Sequence, residues 1–165
     1  MAGKIETKLA ELGVTLPEAP VPAANYVPYV LTGNQVYVSG QISQGPEGLI
    51  TGKLGSGLDV AAGAAAAKAC AISLLAQLKA ACGGDLDRLV RVVKLTGFVN
   101  STPDFTDQPK VVNGCSDLMV EVFGDAGREH GAPLRSAVHA HGAAGGNVER
   151  PVRAHHAAAH AAVQH

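Results

Sequence analysis

The sequence predicts an α/β chain of the α+β kind, β-α-β-α-β in order, with two long helices on one face of a mostly antiparallel sheet. Three observations predict it. A period-two apolar pattern brackets the turn pair Gly33-Asn34. An Ala-rich run from Val60 to Cys82 is opened by Asp59 and closed by Gly83-Gly84. An apolar run from Leu86 to Val99 is followed by a helical stripe at Val111, Cys115, Leu118 and Val122. At 165 residues the chain fits one domain and can bury a core.

Each element has a local cause. Residues 4–12 place Ile5, Leu9 and Leu12 on one helical face. The Pro-punctuated stretch PEAPVPAANYVP reads as an extended connector. Strands are expected at Tyr29–Thr32 and Gln35–Gln41, with Val36 and Val38 facing one way and Tyr37 and Ser39 the other. Gly-rich turns follow. The alanines of the first long helix suit close approach to a sheet. Leu86 to Val99 is apolar on both faces and so is expected at a central position. Asp107, with Pro109 two residues on, starts the second long helix, and Gly124 stops it. Leu134–Val138 (LRSAV) is a short strand.

Composition narrows function. The net charge of −1 gives no footprint for nucleic acid or an acidic membrane. The opening MAGKIETKLAEL has no apolar signal-peptide core, and the Val60–Cys82 run is interrupted by Lys68, Gln77 and Lys79 rather than reading as a membrane span. Three cysteines without paired spacing, Cys70, Cys82 and Cys115, are expected as free core residues in a reducing cytoplasm. No Ser-His-Asp, phosphate-loop or zinc-cluster arrangement is visible, and neither a cofactor nor a metal is expected.

Several segments together carry a family resemblance. They are Tyr26, the TGN turn, YVSGQ (Tyr37 to Gln41), the Ala-rich helix, GDLDRLVRVVKLTGFVN, DFTDQPKVVNG and LRSAV. In this order and spacing, from about Pro20 to Val138, the chain resembles the RidA/YjgF family of reactive-intermediate deaminases. The resemblance implies a chorismate-mutase-like fold and homotrimers with clefts between subunits. It also implies cofactor-independent hydrolysis of 2-imino acids to 2-keto acids and ammonia. The family's key arginine falls on Arg135, whose planar fork suits a carboxylate. Its cleft tyrosine falls on Tyr26, its helix asparagine on Asn113, and the small residues that let backbone approach substrate on Ser39 and Gly40. Some members are described as ribonucleases, so membership alone does not settle function.

The pattern fails after Val138. All seven histidines lie at or beyond His130, and HAHGAAGGNVERPVRAHHAAAHAAVQH holds almost no large apolar residue. The expected division is therefore a RidA-like domain over 1–138 and an Ala/His-rich tail over 139–165, irregular or partly helical. The family's water-handling glutamate has its nearest counterpart in Glu149, but Arg150 and Pro151 spoil a strand there. One explanation is a reading-frame slip near Gly127. Codons possible for Val138 onward, read one base later, restore a family-like Leu-Pro, and the coding DNA tests this directly. His156 and His160 would share a face of a helix, but no acidic or Cys ligand accompanies them. Three readings follow: an imine deaminase, a non-catalytic trimeric binding or protein-protecting module, and a C-terminally altered inactive product.

Overall fold

The computed structural model describes residues 3–19 and 25–129 in full, together with the backbone of 134–136 and 156–163. Helix α1 (Lys4–Glu11) opens the chain, and its N-cap Gly3 has no side chain to satisfy the first amides. Asp87, more than eighty residues away, does so instead. Its two carboxylate oxygens accept from the amides of Lys4 and Ile5, both at 2.8 Å. Leu9 is buried, with Ile5 and Leu12 packed against the core, as the amphipathic pattern predicts.

These amide bonds, that from Ile5 foremost, hold the Asp87 carboxyl below its ordinary value. A carboxylate depressed by folding contributes stability above its unfolded pKa, and that contribution is lost as pH falls through the folded value. Acidification is therefore expected to loosen α1 before the core opens. Asp87→Ala should do the same at neutral pH, seen as faster hydrogen exchange at Lys4 and Ile5 with unchanged protection in the long helices.

Strands β1 (Tyr29–Thr32) and β2 (Gln35–Ile42) form the predicted hairpin, with Gly33 at φ 55° in its turn. Two small ribbons follow: β3 (Gln44–Gly45) with β4 (Gly48–Leu49), and β5 (Lys53–Leu54) with β6 (Gly57–Leu58). Helix α2 (Val60–Ala81) starts where the Asp59 side chain accepts from the Ala62 amide at 2.7 Å, and Gly83 follows its end at φ 71°. A 3-10 turn at Leu86–Arg88 precedes β7 (Leu89–Val99), so the strand begins three residues later than the apolar run suggests. Helix α3 (Gln108–Phe123) buries Val111, Cys115, Leu118 and Val122 as expected. Strands β8 (Leu134–Ser136) and β9 (His156–Val163) complete the order.

The tail departs from its sequence reading. Where an irregular or partly helical segment is expected, His156–Val163 is a strand. It does not cover an edge. The sheet order is β1-β2-β9-β7-β8, so β9 lies between β2 and β7, antiparallel to both, while β7 and β8 are parallel. The physical reason is non-local: two waiting strands satisfy both edges of an Ala-rich segment whose own preference is helical.

Helices α2 and α3 cover one face. Val36 and Val38 of β2 and Val92 and Leu95 of β7 meet Leu74, Leu78, Cys115 and Leu118 in the main core. A smaller cluster of Leu54, Val99, Val111 and Val112 seals one end. All three cysteines are buried and unbridged. By length and composition alone α2 could cross a bilayer, contrary to the sequence reading, but over half of its apolar window is buried between sheet and α3. That is the signature of a core helix.

Among the described residues no helix lies on the other face of the sheet. Tyr37, Ile42, Val90 and Phe98 are large apolar side chains exposed there, interspersed with Arg91 and Lys94. β7 is interior to the sheet as expected, but its second face mixes Val90 and Phe98 with Arg91 and Lys94. Within one chain only the helix side is covered.

Candidate functional site

The segment YVSGQ contains a β-bulge. From Val38 to Gln41 β2 advances three residues while β9 advances two, from Ala159 to Ala157. The extra residue lies at Ser39-Gly40 and reverses the alternation. Val36 and Val38 are buried before the bulge, whereas Ser43 is buried and Gly40 and Ile42 are exposed after it. Ser39 is pinned at this point. Its amide donates to the Pro28 carbonyl at 2.9 Å and its hydroxyl to the Val27 carbonyl at 2.7 Å. The Gln41 side-chain amide donates to the Ser39 carbonyl at 3.0 Å.

These bonds tie the connector that carries Tyr26 to the bulge, so Tyr26, Ser39 and Gly40 form one corner. Tyr26 is 50% exposed. The Ser39 proton is committed to Val27, which leaves the hydroxyl oxygen as an acceptor toward any ligand.

Arg135 and Asn113 lie at the opposite edge. Arg135 on β8 pairs in backbone register with Phe98 of β7. Asn113 is exposed on α3, next to Val112. A Cβ built on Gly97 would come within 2.9 Å of Val112, so the start of α3 lies directly over Gly97. Gly97 in turn pairs with Leu134. The opening of α3 and Arg135 therefore occupy the same end of the β7–β8 pair.

The candidate residues thus fall into two separate groups. Three strand spacings separate β2 from β8, about 14 Å at 4.7–4.9 Å per step. Both groups nevertheless sit at the same end of the sheet. Ile42, His156, Phe98 and Arg135 form one row across β2, β9, β7 and β8, next to the bulge. Glu149 lies outside the described residues.

Other reactive groups are accounted for structurally. Burial, aided by Cys70 and Glu129, pushes the Cys115 thiol far above its ordinary value, so it is no nucleophile. It lines a small apolar cavity between β7, α2 and α3 with Cys70, Val111 and Val112. Among the described residues the one acidic cluster is Glu6, Asp85 and Asp87. Asp87 caps α1 there, and Glu6 pairs with Lys79 at 3.6 Å.

Fold and site together define a small α+β protein of chorismate-mutase-like architecture whose polar groups are divided between two sheet edges. The chain belongs to the YjgF family: the model described as "YjgF/chorismate_mutase-like, putative endoribonuclease" matches residues 6–138. Protein TCP17 of Trypanosoma cruzi is 50% identical over 138 residues, covering 83% of this chain and 84% of TCP17. The crystal structure of Atu1372 from Agrobacterium tumefaciens, described as of unknown function, aligns with TM-score 0.81 and 40% identity over 98% of this chain and 93% of its own. A structure described as a putative endoribonuclease from Shewanella oneidensis MR-1 aligns with TM-score 0.83 and 30% identity, over 98% and 100% of the two chains.

The sequence reading of family and fold is thereby established. The bulge and the exposure of Phe98 escaped it. An extra residue leaves no mark until the partner strand is known, and Phe98 reads in sequence as one more apolar strand residue.

Proposed function

We propose that this chain hydrolyses small 2-imino acids to 2-keto acids and ammonia, without a cofactor, in clefts assembled between subunits of a cytoplasmic homotrimer. The observation that carries the reading is the division of the site. Tyr26, Ser39 and Gly40 stand on the β1–β2 side of the sheet and Arg135 on the β7–β8 side, both at the same end. A second copy presenting its opposite edge would unite them. The helix-free face with Tyr37, Ile42, Val90 and Phe98 supplies apolar surface for that assembly.

In the proposed cleft the Arg135 guanidinium grips the substrate carboxylate through two charge-assisted bonds. Its role requires it to stand on the helix-free face, that of its paired residue Phe98. Tyr26 hydrogen-bonds the imine and the attacking water, and the bulge lets backbone come close at Gly40; Asn113 stands on α3, which covers the opposite face, and has no role in this cleft. Water adds its oxygen to the imine carbon while the nitrogen takes up a proton. The resulting carbinolamine loses ammonia, leaving the keto acid. Catalysis in this scheme is chiefly positioning. Three free, buried cysteines fit a reducing compartment.

The test generates a 2-imino acid in situ and traps it with semicarbazide. Added protein is expected to suppress semicarbazone formation in proportion to its concentration, and light scattering should give the mass of three chains. A monomer without effect on the trap rejects the reading. Binding of a 2-keto acid without turnover leaves a carboxylate-binding module in its place.

A further inference from the structure

Helices α2 and α3 approach most closely where Gly114 meets the backbone carbonyl of Ala64. Beside this contact a groove of about 250 Å³ opens to solvent between the two helices. Its apolar part is small: Ala64, Gly114 and the buried Leu118. Its walls carry opposite charges. Lys68 stands on α2, and Asp117 and Glu121, one turn apart, stand on α3. All three are exposed, and among the described residues none of them has an ion pair. Lys8, Lys79, Lys110 and Arg128 each pair with a carboxylate. Lys68 faces two acids across the groove and bridges to neither.

We infer that this groove binds a free α-amino acid as its zwitterion, with the carboxylate toward Lys68 and the ammonium toward Asp117 and Glu121. Both charges of an α-amino acid leave from one carbon, so a single small molecule answers both walls. A simple carboxylate would meet Lys68 but be repelled by the acids of α3, and a simple amine would meet those acids but be repelled by Lys68. The side chain lies over Leu118, where Ala64 and Gly114 leave it room. The groove is smaller than the roughly 300–1,000 Å³ pockets of drug-sized ligands, which suits a molecule of amino-acid size. Its charges face water, so they hold the ligand weakly, in the millimolar range, and salt weakens it further. The groove lies on the helix side of the sheet and the proposed cleft on the other, so this site stands apart from the deaminase reading.

The test titrates isotope-labelled full-length protein with L-leucine at low salt and follows backbone amide shifts. Saturable shifts at Lys68, Gly114, Asp117 and Leu118 are expected. Isocaproate, which is leucine without its amine, and isoamylamine, which is leucine without its carboxylate, should each bind about fivefold more weakly, the scale of one exposed ion pair. Lys68→Gln should remove leucine's advantage over isoamylamine. Asp117→Asn combined with Glu121→Gln should remove its advantage over isocaproate. All three side chains are exposed, so these changes leave the fold intact. No saturable shift in the wild-type protein, or the same affinity for leucine in both variants, overturns the assignment. Leucine that binds no better than isoamylamine overturns it as well, since Lys68 then clasps nothing. None of these measurements involves turnover, so the result is independent of the deaminase reading.

Discussion

Arg135→Ala is expected to lower kcat/KM for 2-imino acid hydrolysis about 10²–10⁴-fold, the loss of two charge-assisted hydrogen bonds at about 1.5–3 kcal/mol each. The estimate follows from the proposed role. A carboxylate held by a planar fork is fixed in position and in rotation, so removing the fork forfeits both binding and orientation. Arg135→Lys separates the two contributions. It keeps the charge but presents a single ammonium, and should recover part of KM while kcat stays low. Arg135 sits on β8, paired with Phe98 at a sheet edge. The oligomeric mass of both variants should therefore be measured alongside the rate. An unchanged rate in an Arg135→Ala trimer would remove the arginine from the mechanism.

Gly114→Val is expected to destabilise the fold by about 3 kcal/mol, the upper part of the overpacking range. On an exposed helix, replacing glycine gains up to about 1 kcal/mol from reduced backbone entropy. Gly114 has no such freedom. A Cβ added there would overlap the backbone carbonyl of Ala64 on α2. The clash is with main chain, so no rotamer change relieves it, and α2 and α3 would have to move apart. Both helices bury core residues against the sheet, Leu74 and Leu78 from one, Cys115 and Leu118 from the other. Separation would open that core along its length. Gly114→Ala should also destabilise, reversing the sign seen at an exposed helical glycine. Denaturant midpoints at fixed protein concentration measure both variants.

Much of the fold is legible because its causes are local. The Asp59 cap, the Gly33-Asn34 turn and the four-three-four stripe of α3 each act within a few residues, and each stands where the sequence puts it. The strand His156–Val163 is illegible for the opposite reason. Alanine favours helix, and strand preferences among residues differ by only about 1 kcal/mol, so pairing on both sides decides the outcome. The site shows the same divide. Ser39 holds Val27, the residue next to Tyr26, and the motif around them is readable. That Arg135 and Asn113 lie at the far edge follows only from the sheet order, which places β9 and β7 between them and the bulge. The α1 cap belongs to the same class, since nothing near Gly3 announces that Asp87 will supply it.

The interior position of β9 also governs when the molecule can form. During synthesis on the ribosome the hairpin of β1 and β2 and the strand β7 are made first, but no ladder joins them until residues 156–163 have emerged. Until then the nascent chain holds two unfinished sheets beneath one pair of helices, each with an open edge. Closure is therefore a late, long-range event, and pairings of this kind are slow. A chain halted at residue 138 would keep the helices and lose the seam between the two sheet halves.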